Sequence, residues 1–532
     1  MKTEVLFQNI ENIINFFIKY CLIIISIIIG IIGVISIFVT AYFSTTYNTA
    51  SEVTFFKFSF GIIEIILSLL FLSIIIFIFK KITIKIPAKY LLSISLVFML
   101  VIFISWIYLI KLEPIDDQKR IHEMAIDMLN DRIGLYFVQP MYLFLYPYQL
   151  GIVFFVSVFY KIFGQNFIIF QYVNCIFSVI NLFLLYLISK EIFEEDDVKK
   201  IVNILLMGFG LYFLFYNVYF YGNIVGLSFA LLSVLFVLKF LNKNKLYQVF
   251  LSGIFIGVSI ILKTNYNIYF CGILIVLILY TIIKFEKSRI VILPAFLIGY
   301  LIISLSYNIF MEKFFNIEIP KGVPMVNFIY MGMSDKVDLY PGWYNGDTLD
   351  IYYRNNLDYE SSSKEARDLI KIRLKHFSKN PKEFLEYYAK KIGSTWLNPT
   401  FQTVWVSTPG ARYEWDNKYA EYLNNHQKLL SIVSGNIYRI VEKYFDIYQI
   451  VIFITGSIGI FCLGKFSKPE IKKLLLPVVF LGGFLFHIIW ETKAIYVIQY
   501  YYLLLPFSAY GIYHFLNLDF NKTINKIKGV NK

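Results

Sequence analysis

Uncharged apolar runs long enough to cross a bilayer recur along this chain and constrain its fold more than any other feature. Tyr20 to Phe43 and Val291 to Phe310 contain no ionisable acid or base. Each reaches the roughly 20 residues that a helix rising about 1.5 Å per residue needs to cross the hydrocarbon. Hydrocarbon offers no partner to a bare backbone group, so such runs must be helices rather than isolated strands. Composition agrees, with 58% hydrophobic and 16% charged residues, where soluble domains carry roughly a quarter charged. The pattern predicts an all-α polytopic membrane protein of about twelve spans, near 16–43, 57–79, 90–111, 166–190, 201–219, 221–241, 247–264, 266–284, 289–311, 446–465, 473–490 and 495–516.

The formal charge of +13 does not indicate a nucleic-acid partner, because the basic residues are scattered between spans rather than gathered on one soluble domain. With a cytoplasmic amino terminus they fall on alternate connections. These hold Lys80, Lys81, Lys85 and Lys89; Lys190, Lys199 and Lys200; Lys239, Lys243 and Lys245; Lys284, Lys287 and Arg289; Lys465, Lys468, Lys472 and Lys473; and the tail lysines Lys522, Lys526, Lys528 and Lys532. The positive-inside rule then puts both termini in the cytoplasm and two longer segments, about 112–165 and 312–445, outside. This topology requires the apolar stretch Tyr148 to Phe163 to be a juxtamembrane or re-entrant helix, for which its length is suited. The first run is too long for a signal-peptide core and is expected to be retained. Cys21, Cys175, Cys271 and Cys462 are widely spaced in apolar stretches and imply neither a disulfide framework nor a zinc site. The abundance of Ile, Lys, Asn, Phe and Tyr is that of an AT-rich bacterial genome, so a bacterial cell membrane is the expected location.

Beyond the third span stand Asp116 and Asp117, followed by Ile121, Met124, Ala125, Met128 and Leu129 at the spacing of one helical face, with Arg120, Glu123 and Asp127 on the other. This predicts an amphipathic helix in the outer interface. Either aspartate could simply cap it. The two could also act together, one as a general base and the other as a hydrogen-bond or metal partner, and a cap would fix the side chain that chemistry needs fixed. His122 is expected to be solvated and His487 to pack or hydrogen-bond locally near Glu491. In the large segment, the cluster Tyr340-Pro341-Gly342-Trp343-Tyr344-Asn345-Gly346 and a charged helical stretch from Ser361 to Lys391 suggest a small mixed domain. Trp343, Trp396 and Trp405 there could be sugar platforms or interfacial anchors.

The run Asp117-x-x-Arg120-x-x-Glu123-x-Ala125-x-x-Met128-Leu129 resembles the first outer-loop motif of the membrane-embedded GT-C glycosyltransferases, in particular bacterial relatives of protein O-mannosyltransferases and aminoarabinose transferases. Tyr146-Pro147-Tyr148-Gln149 with Phe163-Gly164-Gln165-Asn166 resembles that family's second outer-loop helix and following turn. Leu262-Lys263-Thr264 is similar to its lysine motif at the outer end of a mid-chain helix, and Glu491-x-Lys493-x-x-Tyr496 to its late Glu-x-Arg-x-x-Tyr motif. Lys493 stands where Arg is usual, Ile495 replaces a common second Arg, Gln499 replaces a common Pro, and the Lys often found before the second-loop Pro is absent. The likeness covers about residues 90–516.

The resemblance divides the chain into two added amino-terminal spans (1–89), a transmembrane core (90–311) containing the first outer loop, a large outer segment (312–445), and carboxy-terminal spans with a tail (446–532). It implies a hexosyltransferase-like enzyme that takes a sugar from a polyprenyl-phosphate donor to an extracytoplasmic glycopolymer, glycolipid or protein. Asp117 would be the base and Asp116 its support; Arg120, Glu123, Tyr146, Lys263, Glu491, Lys493 and Tyr496 would bind substrate. A cation at the boundary, Lys263 or Lys493, suits the leaving phosphate, although a lysine at a span end can equally snorkel. A divalent ion, Mg or Mn, near Asp116 and Asp117 is compatible, but no ligand cluster demands one. The competing class is a polytopic transporter or lipid-linked saccharide flippase, toward which Glu64, inside the second span, leans. An assembly protein is a third.

Overall fold

In the computed structural model the described residues are 2–43, 54–81, 85–283, 289–334, 336, 341–408, 425–429, 431–433, 437–466 and 470–517. Lys284, Lys287, Lys468, the tail lysines and Tyr340 lie outside them. The chain is a bundle of apolar helices: α1 (Lys2–Phe38), α2 (Ile62–Lys81), α3 (Ala88–Ile110), a short α4 (Asp116–Leu129), α5 (Tyr142–Leu145) and α6 (Leu150–Phe163), then α7 (Phe167–Ile192), α8 (Asp196–Tyr216), α9 (Asn223–Lys243), α10 (Leu246–Leu262), α11 (Asn267–Ile283) and α12 (Ile292–Phe315). Four helices of the large segment follow: α13 (Met325–Met331), α14 (Asp347–Arg354), α15 (Tyr359–Lys379) and α16 (Pro381–Trp396). The bundle closes with α17 (Tyr438–Phe466), α18 (Leu475–Ile489), α19 (Ala494–Tyr501) and α20 (Leu505–Leu516).

Ten helices among the described residues are long and apolar enough to cross a membrane. The expected count of twelve differs because α10 has only 17 residues and the last span is divided by the 3-10 turn Tyr502–Leu504 between α19 and α20. The 14-residue α6 extends about 21 Å, shorter than the spans around it. Helix α7 starts where Asn166 Oδ1 accepts from the Ile168 amide at 2.9 Å, an ordinary N-cap. It is directed there by Gly164, whose φ of +101° suits glycine.

Two expectations are corrected. The first span ends at Phe38, not 43, and the second begins at Ile62, not 57. Between them β1 (Val39–Phe43) pairs antiparallel with β2 (Thr54–Phe58), Ala41 opposite Phe56. Their β-branched and aromatic residues favour a strand once the chain leaves the bilayer. The large segment was expected to be mixed, yet its described elements are helical. Its charged stretch is two helices rather than one, because Pro381 cannot donate to a continuing helix and starts α16 instead.

Helices cross closely where glycine meets backbone. A Cβ on Gly459 of α17 would strike the Phe507 carbonyl, and one on Gly511 of α20 the Thr455 carbonyl; Gly253 of α10 and Gly299 of α12 face the Phe296 and Phe250 carbonyls in the same reciprocal way. Polar side chains add hydrogen bonds between helices, such as Ser233 Oγ to Ser252 Oγ at 2.8 Å and Ser228 Oγ to Asn181 Oδ1 at 2.6 Å.

The connections sort to two ends. At one, Asn242 reaches Glu191 and Lys472 reaches Asn242. At the other, the two long segments meet: the Val323 amide donates to the Leu145 carbonyl at 2.9 Å, Tyr212 to the Pro399 carbonyl at 2.9 Å, and Ser407 to the Phe215 carbonyl at 2.7 Å. Glu64 lies at this end too, ion-paired at 2.9 Å with Lys443, which also pairs with Asp446 at 2.9 Å. The one acid that leaned toward a transporter thus has a neutralising partner.

Candidate active site

The site is assembled from four segments at the loop-rich end. Helix α3 stops at Lys111, which turns left-handed at φ 44°, and residues 111–115 run extended to α4. The N-cap position of α4 is Ile115, without a side-chain cap bond, and Asp116 and Asp117 occupy the first turn, where the helix dipole favours a carboxylate. Asp116 adopts φ +46°, a conformation Asp tolerates better than most residues. Ile121, Met124, Ala125 and Met128 are buried against α6, the amphipathic face expected. Gln118, buried on the turn after Asp117, accepts from the Phe220 amide at 2.8 Å, and Gln171 donates to the Leu112 carbonyl at 2.8 Å. These bonds tie both ends of the Asp-bearing turn to the bundle.

His122 is not solvated as expected. Its Nδ1 lies 2.6 Å from the Tyr160 hydroxyl, among the rings of Phe167 and Phe220, and burial lowers its pKa. Alternation of polar and apolar residues along α4 could not show that α6 and the 217–222 loop wrap around this side.

Lys263 follows the last residue of α10 in extended conformation. Gly151 and Gly222 let neighbouring backbone press against the Ile261 and Leu262 carbonyls, fixing that end. Its Nζ sits 4.1 Å from the centre of the Tyr221 ring and 5.7 Å from that of Tyr496, a cation–π arrangement rather than the snorkelling alternative. Gln149 in turn hydrogen-bonds the Tyr221 hydroxyl. Desolvation pulls the Lys263 pKa down to about 8, against the opposing pull of Glu491 and Asp117.

The fourth segment follows α18. Glu491 is 8% exposed and accepts from Tyr496 at 3.4 Å; Lys493 Nζ lies 5.9 Å from the centre of the Trp343 ring. His487 Nδ1 is 3.3 Å from the Glu491 carbonyl oxygen, the local bond expected.

One cavity of about 710 Å³ gathers these groups: Asp116, Asp117, Tyr146, Lys263, Glu491, Lys493 and Tyr496 all line it. Arg120 and Glu123 do not. They lie exposed along α4: Arg120, one turn on from Asp117, is taken up by the ring of the wall residue Tyr142, 5.2 Å from its centre, and Glu123, six positions on, is carried round the helix to another face. Sequence reasoning missed Tyr142, Tyr148, Gln149, Tyr221, Tyr344 and Trp490, which also line the wall. Tyr142 hydrogen-bonds Asp117, and burial, then that carboxylate, hold its phenol well above the usual range. Only Tyr148 and Gln149 carried a signal, as neighbours of Tyr146; the others come together through tertiary packing. Of the three tryptophans considered as platforms or anchors, Trp343 and Trp396 are 1% exposed and are core residues, while Trp405 faces the cavity.

Among the described residues no three His, Cys, Asp or Glu side chains converge on a metal site. Asp116 and Asp117 offer two carboxylates at the cavity wall.

An apolar helical bundle with a charged, tyrosine-lined cavity at one end is the layout of a multi-pass membrane protein with a polar binding chamber. The family profile described as dolichyl-phosphate-mannose-protein mannosyltransferase matches residues 149–308, from the cavity residue Gln149 through Lys263 into α12. The match bears out, over this stretch and its Lys263 motif, the resemblance to the GT-C membrane glycosyltransferases: residues 149–308 are similar to that family. No curated protein sequence matches it. Among solved structures it is similar to ArnT from Cupriavidus metallidurans in the apo state, at 10% identity and a TM-score of 0.32, covering 80% of this chain and 78% of that one.

Proposed function

We propose that this enzyme transfers a sugar from a polyprenyl-phosphate carrier to an acceptor on the extracytoplasmic side of a bacterial membrane, with Asp117 as general base. The observation that carries the reading is the meeting of Asp117, Lys263, Glu491, Lys493 and Tyr496 in one cavity, from segments far apart in the chain. Their chemistry fits the reaction. The acceptor hydroxyl loses its proton to Asp117 as its oxygen bonds the anomeric carbon, the bond from that carbon to the phosphate oxygen breaks, and the departing phosphate gains charge beside Lys263 and Lys493. Attack opposite the leaving group inverts the anomeric centre. Cations already in place cost no reorganisation when that charge develops. Glu491 and Tyr496 hold the lysines and the sugar hydroxyls. The basic residues on alternate loops support a cavity end outside and both termini in the cytoplasm.

The test is transfer of labelled sugar from defined polyprenyl-phosphate donors by the purified chain in reconstituted membranes. Turnover with at least one donor is expected; none across a panel of hexose and pentose carriers, with the protein folded, would sink the proposal.

A pH profile is expected to reveal Lys263. Its ammonium is charged below its pKa of about 8, so donor capture is intact near neutral pH and fails as pH rises through that value. The fall should appear in kcat/KM for the donor before kcat, because bound phosphate raises the lysine's pKa. Lys263→Arg, charged throughout, should remove the fall; an unchanged alkaline limb in that variant would assign it to another group.

A further inference from the structure

We infer that Lys391 is a positioning residue that locks the Glu491–Lys493 segment to the helical loop domain. Its functional part rests on the proposed reaction; its structural part does not. Lys391 lies on α16 and is 0% exposed. Its Nζ donates to the carbonyls of Gly332 at 2.5 Å, Ile488 at 2.8 Å and Trp490 at 2.8 Å. An ammonium has three protons and no acceptor, so these carbonyls use its whole capacity. Two of them are at the end of α18, where carbonyls lack intrahelical partners and the dipole is negative. The very next residue after Trp490 is Glu491.

The same face of α16 holds the segment at further points. Thr395 Oγ1 lies 3.1 Å from Thr492 Oγ1, and Tyr387 donates to the Gly332 carbonyl at 3.1 Å. The Thr492 amide donates to the Gly342 carbonyl at 2.8 Å. Gly342, at φ +80°, has no Cβ where one would strike the Lys391 side chain. Burying a lysine this completely is costly, and an apolar residue would pack α16 at lower cost. What the ammonium adds is a fixed link among α13, α16 and α18, and a positive charge near Glu491. The wall that meets the donor phosphate and the domain roofing the cavity then move as one body.

The test compares Lys391→Met, Lys391→Arg and the exposed neighbour variant Lys390→Met in the full chain, by amide hydrogen exchange and by transfer kinetics. Lys391→Met is expected to speed exchange over residues 488–493 on the order of tenfold. It should also lower kcat while leaving donor KM within about twofold. Lys391→Arg should recover part of both, and Lys390→Met should change neither. Thr395→Val, a milder cut in the same link, should move the same peptide in the same direction. Wild-type exchange in both Lys391→Met and Thr395→Val overturns the lock. So does a Lys391→Met chain that fails to fold while Thr395→Val leaves the segment at wild-type rate. Faster exchange with no sugar transfer by the wild type leaves the lock standing and overturns the proposed reaction instead.

Discussion

Asp117→Asn is expected to lower sugar transfer by about 10² to 10⁴-fold, the usual worth of a positioned general base, without loss of folded protein. Asparagine keeps the side chain's shape and its place in the first turn of α4, but it cannot take a proton from the acceptor hydroxyl. Stability should hold because the Asp117 side chain is exposed to the cavity rather than packed, and because α4 is fixed by its buried face and by Gln118. Donor KM should change little, since the cations facing the phosphate remain. Asp116→Asn should cost much less, because Asn accepts the same left-handed backbone and the principal base is untouched. The check is turnover of labelled donor by each variant alongside its thermal unfolding curve. Equal turnover by Asp117→Asn and wild type would remove Asp117 from the chemistry.

Gly459→Val is expected to have the largest effect on folding, destabilising the bundle by about 3 kcal/mol or more. The first carbon of the new side chain would occupy the position of the Phe507 carbonyl, which is backbone and cannot swing aside. Helices α17 and α20 would have to part along the whole crossing, losing the packing that replaces the hydrophobic effect inside a bilayer. They would also strain the bond between Thr455 and Ser508, now 2.5 Å. Gly134→Val, where a Cβ meets nothing within 4 Å, is the control. Thermal unfolding in detergent should separate the two clearly; indistinguishable midpoints would mean that this crossing is looser than described.

The sequence was legible where one physical rule governs a whole segment. Apolar length placed the helices, since the bilayer imposes a minimum, and the i, i+3, i+4 pattern identified the buried face of α4. Span ends were less legible. Val39 to Phe43 continues the uncharged, mostly apolar run of α1, so composition alone does not separate the helix from the first strand of the hairpin that follows it. At the site, residues with an ordered motif beside them, Asp117, Lys263 and Glu491, were found together in the cavity. Arg120 and Glu123 shared a motif with Asp117 but are outside the cavity lining, Arg120 drawn over the Tyr142 ring and Glu123 carried to another face of the helix. Tyr221, Tyr344 and Trp490 had no local mark, because their role is set by what folds against them. Lys391 was hidden in a charged helical stretch that looks solvated until three carbonyls are seen around its nitrogen.

The hairpin between the first two helices carries Phe43 to within 5.3 Å of the Trp343 ring and 6.3 Å of the Trp405 ring, centre to centre. The Ala41 amide donates to the Leu397 carbonyl at 2.8 Å. The stretch of chain outside the motif likeness therefore packs behind Trp343 in the core and Trp405 at the cavity wall. In evolutionary terms this front part is no detachable anchor: exchanging it would demand new side chains behind Trp405, so the opening spans and the chamber must change together.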